Sequence, residues 1–289
     1  MATQSSAGHD RNSSPGWIKW PLILVAVGFC GLMLFVPLAA IFASAFSEGW
    51  SGFIEVFKDP HTVASIKVTI LTAAIAVPLN IVFGIAASWA IAKFEFPGKS
   101  LLLTLIDLPF GVSPIISGMI FILLLGQRSV IGGWLEAHDI KIIFALPGIV
   151  IVTTFVTFPY VARELIPLMM EQGSDEEQAA VSLGAGGWQT FRLVTLPNIR
   201  WGLLYGVILC NARAMGEFGA VMVVAANVRG GTNTVPMQIE NLYSDYAVRE
   251  SFSLATLLAL LGVVTLGIKV LLERRIAKQQ QLFAAAGAE

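Results

Sequence analysis

Six stretches of the chain are each long and apolar enough to cross a lipid bilayer, and no other feature limits its fold as tightly. A hydrocarbon core about 30 Å thick takes roughly 20 apolar residues of helix. Residues 20–46, 62–92, 101–126, 142–170, 201–226 and 251–272 all reach that length. Peptide groups in lipid must be satisfied inside their own segment, so unbroken apolar runs of this kind span as helices. The expected fold is therefore all-α, a polytopic membrane protein with six transmembrane helices. Charged residues make up 13% of the 289, about half the share of an ordinary soluble domain. A soluble fold could not hide so much apolar surface. The second and fourth runs exceed a minimal span and are expected to tilt or to extend beyond the bilayer. The first run is longer than a signal-peptide core, has only weakly basic flanks and lacks a cleavage site, so it is expected to be retained.

The lipid bilayer is thus the first partner. The net charge of -1 supplies no basic excess to neutralise phosphates, which excludes a nucleic-acid binder. Lysine and arginine set the orientation. With the amino terminus inside, Arg11, Lys19, Lys93, Lys99, Arg163, Arg192, Arg200, Lys269, Arg274, Arg275 and Lys278 fall on the cytoplasmic side. Lys58, Lys67, Arg128, Lys141, Arg229 and Arg249 fall outside, and Arg213 lies within a span. Both termini are expected in the cytoplasm. The expected divisions are a polar, disordered tail over 1–19, a first helix with its outer loop over 20–61, a transmembrane domain over 62–273, and a cytoplasmic tail over 274–289 that is unstructured after Lys278.

Cys30 and Cys210 lie inside apolar runs and read as small buried hydrophobes rather than a disulfide. His9, His61 and His138 stand apart from any carboxylate or cysteine at ligand spacing, so no metal site and no cofactor is expected. Gly98-Lys99-Ser100 matches the end of a phosphate-binding loop, but Lys93 stands where that loop needs its first glycine. It reads as a polar turn, and the chain is expected to be no enzyme and to hold no ATP. Pro37, Pro78, Pro109, Pro114, Pro147 and Pro159 fall in the spans. Each removes a helical hydrogen bond, which gives either static kinks or hinges.

The loop between the fourth and fifth runs carries the most information. Ser174 and Glu177 form an S-x-x-E capping box, with Asp175 and Glu176 in the favourable first turn. Gly184 suits a left-handed stop. A second short helix is expected over 188–194, ended by Leu196-Pro197. Two short helices around a glycine corner make either a plain connector or a surface for another protein to grip.

This loop resembles the coupling loop of the binding-protein-dependent ABC importer permeases, in which Glu-Ala-Ala, a glycine, a branched apolar residue and Leu-Pro recur at fixed spacing. Aligned on Gly184, the chain supplies Gln178, Ala179, Ala180, Val194, Leu196 and Pro197, all in register. Gln178 replaces the usual glutamate, and Glu177 beside it points about 100° away around the helix. The resemblance implies a type I importer permease fold, with a cytoplasmic coupling-helix loop seated in a groove of a separate ATPase.

The fifth run carries Arg213 and Glu217. An ionisable side chain at the bilayer centre costs about 2.5–3.5 kcal/mol on insertion scales and is kept for function by default. On one helix Gly202, Gly206, Cys210, Arg213 and Glu217 would form a single stripe, whose glycines admit a close neighbour. Arg213 and Glu217 read either as a neutralised pair or as a contact for a passing anion. The stretch from Asn211 to Ala220 resembles the fifth-span signature of sulfate/thiosulfate and molybdate permeases. Residues 106–110, 158–165 and 229–240 agree with it. The run from Leu196 to Glu217 most resembles the W-type subunit of the sulfate/thiosulfate importers. That resemblance implies a bacterial inner-membrane location and four kinds of subunit: this chain, a homologous T-type permease, two copies of a cytoplasmic ATPase, and a periplasmic sulfate-binding protein. A molybdate or tungstate permease, or a self-sufficient secondary anion transporter, are the alternatives.

Overall fold

The computed structural model describes residues 16–286 apart from 226, 228 and 229; for 16–18 and 272–286 it describes the backbone alone. Thirteen α-helices and one π-helical turn account for the ordered elements, and no strand occurs among the described residues. The long helices are α1 (Gly16–Ala45), α3 (Pro60–Lys93), α7 (Leu146–Gln172), α10 (Leu196–Met215) and α13 (Val248–Ala286). Between them lie α2 (Gly49–Val56), α4 (Lys99–Gly111), α5 (Pro114–Leu125), α6 (Val130–Ala137), α8 (Asp175–Ser182), α9 (Gly187–Thr190), α11 (Gly219–Val224) and α12 (Val235–Ser244).

Five of the expected spans are single helices through most of their length, and the third is not. Residues 101–126 split into α4 and α5, between which the chain bends by 111°. Ser113 precedes a proline and is extended (φ -57°, ψ 137°), because Pro114 crowds the helical conformation of its neighbour. Pro114 then starts α5, where its missing N–H costs nothing. Lys99 lies at the end where α3 stops, and α6 leads to the first turn of α7 at the other end. Taken as one broken crossing between those two ends, the bent pair brings the candidate spans to six. By contrast Pro37, Pro78 and Pro159 sit inside unbroken helices.

The fifth run is also interrupted. α10 ends at Met215, residues 216–218 leave the helix, and α11 restarts at Gly219. Glu217 therefore lies outside α10, and the single stripe expected to hold it breaks off at Arg213. The glycines behave as expected: a Cβ on Gly206 would stand 3.2 Å from the Cα of Val161, and one on Gly202 would meet the Leu168 side chain at 2.5 Å. α10 is thereby drawn against α7.

α7 is the hub. It contributes Val161, Leu165 and Met169 to a core with α3 and α10, Ile149, Val152 and Val156 to a core with α11 and α12, and Ala162 and Ile166 to a third with α3 and α4. A polar seam crosses the first core: Asn80 Nδ2 donates to Thr157 Oγ1 at 2.7 Å and lies 3.5 Å from Cys210 Sγ. Cys210 is buried as expected, whereas Cys30 is exposed on α1, whose surface this chain leaves largely uncovered. α13 continues as helix to Ala286 where an unstructured tail was expected, since no glycine or proline interrupts residues 268–286. Gly16–Lys19 are likewise helical, and the rest of the expected amino-terminal tail lies outside the described residues.

The two breaks touch. A Cβ on Gly118 of α5 would stand 2.7 Å from the Ala220 carbonyl oxygen, and one on Gly219 would stand 3.2 Å from Pro114 Cβ. Gly118→Leu should therefore lower stability by about 1–3 kcal/mol through overpacking, read as a fall in the thermal midpoint in detergent. Gly111→Leu, with nothing within 4 Å of the added carbon, should leave that midpoint near wild type.

Candidate functional site

Two regions carry the candidate residues: the α8–α9 loop at one end of the bundle and the break after α10 inside it. The loop is the better tied of the two. Gly184 has φ +92°, the left-handed stop its sequence position called for. The capping box does not form, because the Ser174 side chain caps no backbone donor. Instead Gln178 Nε2 donates to Ser174 Oγ at 2.9 Å, and Glu177 turns inward. One Glu177 oxygen accepts from Thr195 Oγ1 at 2.7 Å, and the other pairs with Lys93 Nζ at 2.8 Å. Lys93 also donates to the Gly173 carbonyl, and Asn198 donates to Glu176.

These contacts form a clasp. The last residue of α3 holds the start of the loop, and the loop in turn holds the start of α10. Side-chain exposure of 9% for Lys93 and 17% for Glu177 lifts the pair above the near-zero value of an open surface bridge. Lys93 also sits at the negative end of the α3 dipole. Its role was not legible in sequence, because nothing local links it to an acid in a loop beyond two further spans.

Leu196-Pro197 does not end the second short helix, as had been expected. Phe191–Thr195 widens into a π turn, in which the Leu196 N–H reaches back to the Phe191 carbonyl. The wider turn absorbs the proline, and the helix runs without a stop from Gly187 to Met215, 29 residues. Ala179 and Gln178 are exposed, and Ala180 is partly so. Around them Leu183 and Trp188 stand 90% and 72% exposed, beside the exposed apolar side chains of Val181 and Leu193. Lys99, in the turn that matched part of a phosphate-binding loop, pairs with Glu95 at 2.6 Å, and Gly98 is left-handed there.

Inside the bundle Arg213 and Glu217 do meet, as an ion pair between Nη1 and Oε2. Glu217 has a second task that the helical reading hid. Its Oε1 accepts from the Ala220 N–H at 2.9 Å, which caps the first turn of α11. The carboxylate side chain is 1% exposed and that of Arg213 29%. The arginine therefore reaches an open surface while its partner stays buried.

With this geometry in view, the comparisons with known proteins are decisive. Residues 80–278 match the profile of the binding-protein-dependent transport system inner membrane components. The chain belongs to that family. It is 49% identical over 265 residues to the sulfate transport system permease protein CysW of Escherichia coli K12, covering 92% of this chain and 91% of the relative. The CysW of Synechocystis is 48% identical over 89% of this chain and 94% of its own length. The CysT of Escherichia coli K12 is 36% identical over 73% and 76%. A crystal structure of a bacterial alginate ABC transporter, complexed with a pentasaccharide-bound periplasmic protein, superposes with a TM-score of 0.72 at 17% identity, covering 91% of this chain and 96% of the matched one. The fold is that of a type I ABC importer permease, and the chain is a multi-pass inner-membrane component of such a transporter.

The two ties can be separated by substitution. Lys93→Met should speed tryptic cleavage after Arg192 several-fold in open vesicles, since it frees the loop from α3. The charge swap Lys93→Glu with Glu177→Lys should recover part of that protection. Glu217→Gln keeps an acceptor for Ala220 but leaves Arg213 unpaired. It should therefore lower the thermal midpoint more than the double change Arg213→Gln with Glu217→Gln does.

Proposed function

We propose that the chain is the W-type permease subunit of an ATP-driven importer that carries sulfate or thiosulfate into the cytoplasm. The observation that carries this reading is the 49% identity to a sulfate permease along 92% of the chain, which includes both the clasped loop and the break at Arg213. A shorter match, confined to the family core, would support the mechanism but not the cargo.

In this reading the complex contains a homologous T-type permease, two copies of an ATPase and a periplasmic sulfate-binding protein. Both termini are cytoplasmic, on the side of the α8–α9 loop. Glu177, Gln178, Ala179, Ala180, Gly184, Leu196 and Pro197 belong to the ATPase-coupling loop, with Leu183 and Trp188 as its apolar contacts. Aromatic and large aliphatic anchors of this kind carry most of the binding energy of an interface. Glu177 faces the clasp and not the ATPase, so the departure at Gln178 leaves a neutral, hydrogen-bonding side chain on the docking face. Arg213 and Glu217 form a gate on the anion path. The expected divisions at 1–19, 20–61, 62–273 and 274–289 stand as part of the same proposal.

The direct test is labelled sulfate uptake in a strain lacking its own W-type subunit. Expression of this chain should restore uptake, and deletion of the ATPase gene should abolish it again. Restoration of molybdate uptake alone would replace the cargo, and ATPase-independent uptake would remove the ABC reading. Cysteines placed at Ser174 and Thr232 should label from the cytoplasm and the periplasm respectively. Trp188→Ala should weaken recovery of the ATPase with the purified permease by tenfold or more while leaving the chain in the membrane.

A further inference from the structure

Arg163, which the charge count placed on the cytoplasmic side, lies within the candidate span Leu146–Gln172, and with Asp107 it forms a second arginine–carboxylate pair away from Arg213 and Glu217. Arg163 Nε of α7 donates to Asp107 Oδ1 of α4 at 2.8 Å. The guanidinium carbon also lies 4.9 Å from the centroid of the Phe110 ring. The ring and the carboxylate fix the guanidinium plane. The bond to Asp107 uses Nε, and neither Nη group has an acceptor among the described residues. A planar donor edge is thus held in place with hydrogens to spare, and such an edge suits an oxyanion.

The depth of the pair matters. Arg163 is nine residues before the end of α7, about 13 Å along the helix from Gln172. Arg213 is 17 residues from the start of α10, about 25 Å from Leu196 at the same end. Arg163 therefore stands about 12 Å closer to the clasped loop. α7 is the most buried of the spans, yet the Arg163 side chain is 56% exposed and that of Asp107 47%. An exposed ion pair in a spanning helix cannot face hydrocarbon cheaply, so the surface it looks onto is polar.

We propose that Arg163, with Asp107 as its resting partner, is a second station for a tetrahedral oxyanion on the translocation path, on the loop side of the Arg213–Glu217 gate. The inference rests on the anion-importer reading. An oxyanion arriving at the free Nη edge competes with Asp107 for the same cation. The carboxylate then repels the anion and hastens its departure. A lone arginine would hold a divalent anion, whereas an arginine shared with a half-exposed carboxylate binds it weakly enough to release it. The gate pair differs in kind, because its carboxylate is buried and engaged in capping α11.

The test uses the four-component complex in proteoliposomes, with the wild type, Arg163→Gln, Asp107→Asn, Arg163→Lys and the Arg163→Gln/Asp107→Asn double variant. Two quantities are read: sulfate moved per complex, and labelled sulfate retained by the nucleotide-free complex without binding protein. Arg163→Gln should cut turnover tenfold or more and abolish retention. Asp107→Asn should have the opposite effect on retention, raising it several-fold while slowing turnover. Arg163→Lys, which keeps the charge but loses the planar edge, should fall between. Half-saturation by the sulfate-loaded binding protein should not move, because the station lies beyond the gate. Wild-type turnover in the double variant would overturn the proposal in favour of a merely neutralised pair. Loss of the partner permease from purified Arg163→Gln, with Asp107→Asn retention unchanged, would overturn it in favour of a subunit contact. Wild-type vesicles that carry molybdate and not sulfate would change the cargo alone, and the same opposite effects on retention are then expected with molybdate.

Discussion

Two helices of this bundle stop inside the spanning region, and the rest of the structure is arranged so that they can. A helix that ends in lipid exposes backbone groups that nothing can satisfy. Here the break between α4 and α5 and the break between α10 and α11 are packed on each other, with Gly118 against the Ala220 backbone and Gly219 against Pro114. Each supplies protein where the other would otherwise meet hydrocarbon. Internal bonds complete the closure: Ser113 accepts from the Ser117 N–H at 2.9 Å, and Glu217 accepts from the Ala220 N–H. The glycines at these contacts admit two backbones where any side chain would force them apart. α7 then has to be the central helix, because among the described helices it alone contributes buried side chains to all three cores.

Between the loop and the breaks runs a single rod. The helix from Gly187 to Met215 is about 43 Å long at 1.5 Å per residue, and it begins in the loop and ends one residue before the non-helical segment that carries Glu217. The π turn at Phe191–Thr195 keeps it continuous past Pro197. The clasp of Lys93, Glu177 and Thr195 fixes the loop to this rod and to α3 at once. Under the proposed function, a push on the exposed face of the loop moves α3 and α10 together. That motion is delivered to the place where α11 abuts α5. A loop bound to α10 alone would let α3 slip.

Length and hydropathy made five spans and the site of the sixth legible, because the bilayer sets a scale that a run of residues either meets or does not. The glycine corner at Gly184 and the approach of α10 to α7 at Gly202 and Gly206 were legible for a similar reason: each depends on one residue type in one local geometry. What failed depends on distant parts of the chain. Ser174 and Glu177 have the spacing of a capping box, but Lys93 offers Glu177 a full charge, and that outweighs a backbone amide already near water. Arg213 and Glu217 have i, i+4 spacing, yet the pair forms across a helix end. Six prolines in spans looked alike in sequence, while the helix breaks only where Pro109 and Pro114 lie five residues apart and the surrounding helices cover the gap.

Under the proposed function, the burial of the Glu217 carboxylate makes opening of the gate an energetic problem with a particular solution. Removing Arg213 from Glu217 leaves a buried charge with one remaining donor, the Ala220 N–H. Breaking such a pair costs about 3–5 kcal/mol, which holds the open arrangement to roughly one part in 10² to 10⁴ unless something else stabilises it. An anion that replaces Glu217 at Arg213 compensates the arginine but not the carboxylate. The carboxylate can be compensated only if α11 moves with it and its surroundings rehydrate, so the break and the ion pair must open as one unit. A differential interaction made elsewhere on the chain can shift that balance toward the open arrangement. The rod that ends at Met215 is the element positioned to transmit it, which is why the clasp at the far end of α10 and the buried pair beyond it belong to one mechanism.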